Sequence, residues 1–167
     1  MRMPPTYTSS NETGCCPVPN VDAWDNKEVT FENKLFVRMY TRSFLFVPLN
    51  MGKVMAKLQE LASATGTALP MEDGMILSRD VSPWKAEQLY GVSKSIEGAD
   101  MVTLSGSYVT KVFNGPYKNA ARWHAEMQDL VVEHGSKATD IYFFYTTCPK
   151  CAKHYGNNYV IGFAKLS

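Results

Sequence analysis

Tyr142-Phe143-Phe144-Tyr145-Thr146-Thr147-Cys148-Pro149-Lys150-Cys151-Ala152-Lys153-His154-Tyr155-Gly156-Asn157-Asn158-Tyr159-Val160-Ile161-Gly162-Phe163 is the stretch on which the reading of this chain turns. Two aromatic runs of strand character flank a loop that holds two cysteines, a histidine and a glycine. Rings at that density either plug a core or wall a pocket for a flat organic molecule. The spacing predicts strands from Asp140 to Thr146 and from Tyr159 to Lys165.

Upstream, Gly115-Pro116 opens a helix, because proline suits a first turn. Ala120, Trp123, Met127, Leu130 and Val131 form its apolar stripe, and Gly135 ends it. Lys118, Arg122 and Glu126 recur at i, i+4 on another face. Met101 to Phe113 precedes it as a strand, bent near Gly106. The first half reads in the same order. From Lys34 to Thr41, Leu35, Val37 and Met39 share one strand face and Phe36, Arg38 and Tyr40 the other. Asn50 is the expected N-cap of a helix carrying Met51, Val54, Met55, Leu58, Leu61 and Ala62, which Gly66 stops. Met75 to Arg79 and Ala86 to Ser93 then read as extended. Strand, helix, strand, strand thus occurs twice. This predicts an α+β fold of duplicated β-α-β-β units with pseudo-twofold symmetry, an antiparallel sheet with two helices on one face.

Residues 1–22, rich in Pro, Ser, Thr and Asn without period, are expected to be a flexible arm ahead of one domain, 23–167. At 167 residues one domain with a real core is expected. A net charge of +1 and no basic run argue against a nucleic-acid partner. Apolar stretches are strand-sized, which argues against a membrane partner. Met1-Arg2-Met3-Pro4-Pro5-Thr6 lacks the apolar core of a secretory signal, so a cytoplasmic location is expected. No Ser/His/Asp arrangement, phosphate loop or HExxH is present, and no cofactor is expected.

Lys111-Val112-Phe113-Asn114-Gly115-Pro116-Tyr117, and above all Thr146 to Gly156 with the strand after it, resemble the gyrase-inhibitor-like (GyrI-like) small-molecule-binding domains. The resemblance spans about 30 to 166 and is to a stand-alone branch without a DNA-binding domain. It implies a ligand groove between the repeats, on the sheet face away from the helices. It implies binding of bulky hydrophobic or aromatic xenobiotics or metabolites in an aromatic cage. For the stand-alone branch it also implies hydrolysis of electrophilic cyclopropane-type DNA-alkylating compounds. The penultimate strand, Ile141 to Tyr145, has no interior Glu, and this departs from the family's cation-binding regulators.

Candidates for the groove wall are Tyr40, Trp84, Tyr90, Tyr108, Phe113, Tyr142, Phe144 and Tyr145. Rings bury large area with few rotors, and a phenol adds one polar handle. The competing reading is that alternate rings pack under the helices, since strand faces alternate. The catalytic candidates are Glu126 and Glu87, either of which could orient a water or protonate a leaving group in a hydrophobic cage. Glu126 also suits a solvated helix face beside Lys118 and Arg122. Cys148 and Cys151, with His154 three residues on, have the spacing of half a zinc site or of a thiol–disulfide pair. The fourth zinc ligand would come from Cys15, Cys16, His124 or His134. A zinc-binding or thiol-redox protein is therefore the alternative to a binder or hydrolase.

Overall fold

The computed structural model describes residues 4–14, 16–45, 47–137, 140–147 and 149–166. Its elements are α1 (Val21–Trp24), β1 (Lys27–Phe44), β2 (Val47–Pro48), α2 (Met51–Thr65), β3 (Ile76–Ser82), β4 (Lys85–Gly91), β5 (Met101–Asn114), α3 (Ala120–Glu133), β6 (Ile141–Tyr145), α4 (Pro149–Tyr155) and β7 (Tyr159–Lys165). The strands and both long helices fall where their periodicities place them. Gly66 ends α2 in the left-handed conformation at φ 66°, with its N–H turned back on Ala62 and Ser63. Asn50 stands at the N-cap position of α2, but its side chain does not cap. Its Oδ1 instead accepts from the backbone N–H of Arg42 at 2.7 Å and fastens the helix start to β1.

The sheet is closed. β1, β4, β3, β6, β7 and β5 follow one another antiparallel, and β5 pairs back onto β1. Among the described residues a six-stranded barrel results, accompanied by four α-helices. This corrects the expected open sheet of duplicated β-α-β-β units with two helices on one face and a groove on the other. The cause lies in β1, which is 18 residues long. Lys27 to Val37 pairs with β5, and Phe36 to Arg42 pairs with β4. Within the β5-paired stretch, between Phe31 and Lys34, Glu32 and Asn33 bulge opposite Ser105. Asn33 adopts φ 51°, and the Ser105 hydroxyl both accepts from its N–H and donates to its Oδ1. Opposite Phe31, Gly106 adopts φ 111°. A bulge bends a strand and sharpens its twist, which lets so small a ring close.

Closure gives every barrel strand an inner and an outer face; the inside is packed, and the outside is covered where α2 and α3 lie on it. The inside is filled by Phe31, Phe36, Leu77, Leu89, Tyr108 and Phe163, among others. Outside, α2 lays Val54, Leu58 and Ala62 over Val37, Val92 and Ile96. Helix α3 lays Trp123, Met127 and Val131 over the outer faces of β5, β6 and β7. Each such side chain removed from water contributes about 1.5–3 kcal/mol. Met127 lies so close to β7 that a Cβ built on Gly162 would meet its Sδ at 2.6 Å and its Cγ at 3.0 Å. Met127 is fully buried, so its side chain must shift within the packed layer to admit a methyl. Gly162→Ala is therefore expected to destabilise the fold by about 1–3 kcal/mol, read from the urea midpoint.

The described residues of the segment set apart by composition, 4–14 and 16–20, are bonded to one end of the barrel. Thr6 and Tyr7 donate their N–H groups to the Glu72 carbonyl, and the Tyr7 hydroxyl donates to the Thr146 carbonyl at 2.7 Å. Trp24, fully buried, closes that end and donates its indole N–H to the Pro5 carbonyl at 3.0 Å. Among the described residues no helix is long and apolar enough to cross a membrane.

Candidate active site

Inward-facing residues alternate along each strand. On β1 they run Phe36, Arg38, Tyr40; on β4 Leu89, Glu87, Lys85; on β3 Leu77, Arg79. Asp140 heads β6 two residues before Tyr142. The apolar layer formed by Phe36, Leu77, Leu89 and Tyr142 is thus succeeded, one step nearer the open end, by a layer of charge. Arg79 stands directly opposite Glu87 across the β3–β4 ladder.

Glu87 is 3 % exposed. Its Oε2 accepts from Arg38 Nη1 at 3.2 Å, and its Oε1 lies 3.2 Å from Arg79 Nη2. That second contact lacks hydrogen-bond geometry, so Oε1 is buried without a hydrogen-bond partner. Both guanidiniums hold another carboxylate more closely. Asp100 takes Arg38 in a fork, at 2.9 and 3.2 Å, and Asp140 takes Arg79 at 2.8 Å. Three carboxylates therefore share two guanidiniums, and Glu87 is the buried one of the three. Hydrogen bonds to Asp100 and then Glu87 raise the Arg38 pKa above its ordinary value, although burial opposes them.

Rings frame this layer. The Arg79 guanidinium lies 5.1 Å from the Tyr142 ring, and Lys85 Nζ is 3.9 Å from the Tyr40 ring. Burial raises the Tyr142 pKa; Glu87 and Asp140 add to the rise, and Arg79 and Arg38 oppose it. Tyr108 is pushed from 10.0 to about 12, by burial first and by Tyr142 and Asp140 after it. The fold favours the neutral phenol. Its stabilising contribution is whole below pH 10 and is lost as pH rises toward 12. Tyr108→Phe is expected to flatten the fall of the urea midpoint over that alkaline interval.

The eight rings expected to wall one groove occupy four different surroundings. Tyr108, Tyr142 and Phe144 are inside the barrel. Phe113 and Tyr145 are outside beneath α3, Phe113 stacked on Trp123 at 5.4 Å. Tyr90 is outside beside α2. Tyr40 and Trp84 stand at the rim, 40 % and 55 % exposed, Trp84 against Phe44. Glu126 is half-buried on α3, outside the wall, and is not brought to Glu87. Of the thiol candidates, Cys151 is buried and His154 points to Glu12 at 3.8 Å, while Cys148 lies outside the described residues. Arg38, Arg79, Asp100 and Asp140 carry no motif. The signal that could have found three of them is a charge two residues from an inward apolar side chain, as in Phe36-x-Arg38, Leu77-x-Arg79 and Asp140-x-Tyr142.

The family profile described as bacterial hydrolase matches residues 6–166. Two solved structures from Listeria innocua share the fold. One is described as an uncharacterized conserved protein (11% identity, TM-score 0.60) and the other as a hydrolase (10% identity, TM-score 0.60). Each alignment covers 86% of this chain and 92% of the other. Identity that low carries likeness of fold alone. No curated protein matches.

Proposed function

We propose, starting from the fact that this chain belongs to the bacterial hydrolase family, that Glu87 is the proton acceptor of its reaction, at the open end of the barrel. The observation that carries the reading is Oε1 of Glu87, buried without a hydrogen bond beside Arg79, in a carboxylate whose other oxygen is held by Arg38. An ionised carboxylate only accepts, so its open lone pairs suit a water. Arg38 and Arg79 fix its orientation, each anchored in turn by its own carboxylate. Such positioning is worth several kcal/mol of barrier.

In the step, water oxygen bonds to the electrophilic carbon as Glu87 takes the water proton. The bond from that carbon to its leaving atom breaks, and the electron pair passes to the leaving side. Tyr142, held neutral by burial first of all, keeps its proton available to that side. Bulky hydrophobic or aromatic electrophiles are the substrate class, their apolar parts resting on the rim rings Tyr40 and Trp84. Within that class, the GyrI-like resemblance favours activated cyclopropanes of the DNA-alkylating kind, whose opening by water protects the cell.

The test is incubation with aryl esters, epoxides and activated cyclopropanes in 18O-labelled water, followed by mass spectrometry. The expected product is heavier by one water and carries the label, and Glu87→Gln does not form it. Ligands that bind yet return with unchanged mass would make the protein a binder. Equal turnover by Glu87→Gln would remove Glu87 from the chemistry.

A further inference from the structure

We propose that the rim above Glu87 is an anion-binding tier made by Lys85 and Arg42, and that the substrates are therefore aromatic acids, rings carrying a carboxylate or sulfonate. The proposal rests on the reading of Glu87 as proton acceptor and adds the charge of the molecule on which it acts. In the β1–β4 ladder, Tyr40 stands opposite Glu87, and Arg42 stands opposite Lys85. Side chains two residues apart on a strand share a face, so Lys85 and Arg42 form the next tier outward, about 7 Å along the strand. Both are exposed. The two tiers treat charge differently. In the lower one, each guanidinium, Arg38 and Arg79, is paired with two carboxylates. In the upper one, among the described residues, neither Lys85 nor Arg42 has a carboxylate within ion-pair distance. Asp80, the acid of the adjoining hairpin, stands opposite Ala86 and so belongs to the outer face.

Like charges directly opposite each other across a ladder repel. The Lys85 ammonium finds partial compensation on the Tyr40 ring, 3.9 Å from its centre. An anion between the two cations relieves the repulsion, and the planar fork of Arg42 matches two oxygens of a carboxylate or sulfonate. The backbone beneath this tier is fixed. The Arg42 N–H donates to Asn50 Oδ1 at 2.7 Å, and its carbonyl accepts from the Leu49 N–H at 2.9 Å. The Trp84 carbonyl accepts from the Ser43 N–H at 2.8 Å, and the Trp84 N–H donates to Ser82 Oγ at 3.2 Å. The rings of Trp84 and Phe44 lie 5.6 Å apart, and both residues are more than half exposed. With Tyr40 they offer apolar surface beside the two cations. A flat aromatic body rests on these rings with its anionic group on Lys85 and Arg42. Its reacting carbon then reaches one tier down, to Glu87.

The test compares two fluorescent probes with one ring system, anilinonaphthalene sulfonate and its uncharged parent phenylnaphthylamine, each titrated into the full chain to give a Kd. The sulfonate is expected to bind about ten-fold tighter or more, although it is the more water-soluble of the two. Lys85→Gln and Arg42→Gln are each expected to weaken the sulfonate and to leave phenylnaphthylamine unchanged. Added salt is expected to weaken the sulfonate alone, a measurement that needs no variant. Equal affinity for the two probes overturns the proposal, as does binding of neither, or a sulfonate affinity that neither substitution changes. The read-out involves no turnover, so Glu87→Gln is expected to keep the preference. If the preference holds while Glu87→Gln hydrolyses like wild type, the reading of Glu87 fails and the anion tier stands. If the preference is absent while Glu87→Gln is inactive, the anion tier fails and Glu87 stands.

Discussion

Glu87→Gln is expected to lower kcat by about 100-fold or more, the usual worth of a positioned proton acceptor, with KM changed far less. The amide keeps the shape of the carboxylate but cannot take a proton from water. It also turns a donor toward Arg38 or Arg79, where an acceptor stood at 3.2 Å. Leaving a buried polar group poorly paired costs about 1–3 kcal/mol. The fold tolerates the change because neither arginine is orphaned. Arg38 keeps Asp100 and Arg79 keeps Asp140. A fall in kcat measured well below the variant's Tm, where it is still fully folded, thus separates chemistry from unfolding. Asp140→Asn is the comparison. It loosens Arg79 without touching the acceptor, so its effect on kcat is expected to be smaller than that of Glu87→Gln. Were Asp140→Asn the more damaging change, the acceptor would be Asp140 and Glu87 its support.

The local elements were legible because each carries its own period. Val54, Leu58 and Ala62 mark one face of α2, and Trp123, Met127 and Val131 mark one face of α3. Closure was not legible, because no period states which edges meet. The bulge in β1 rests on two residues, Glu32 and Asn33, which lie just ahead of the stretch that the alternation marks from Lys34. The scatter of the rings over several surroundings follows from the same fact. In an open sheet a ring on the face away from the helices lines a groove, but in a barrel it lies in a filled interior, as Tyr108 and Phe144 do. Glu87 could be nominated because a carboxylate within a strand invites a reason. Its partners could not, because Arg38, Arg79 and Asp140 meet it only through the pairing of distant strands.

Phe31→Ala is expected to cost about 3–5 kcal/mol, the range for truncating a fully buried phenylalanine. Against a typical domain stability of about 5–15 kcal/mol, that is a large part of the whole. Phe31 is 1 % exposed, and its ring centre lies 4.7 Å from that of Tyr108, 6.1 Å from Phe163 and 6.5 Å from Phe36. It therefore joins β1 to β5 and β7 across the interior, next to the bulge that closes the ring. Urea unfolding measures the loss, with an unchanged m-value showing that the exposed area is the same. The size of the loss decides between two pictures of the inside. A hollow wall of rings awaiting a ligand would give up little when one ring is cut, less than about 1 kcal/mol, and a bound aromatic would restore it. A packed barrel gives up the full amount. The proposed chemistry then belongs to the charged layer toward the rim rings Tyr40 and Trp84, where Glu87 follows Leu89 along β4, and not to the interior.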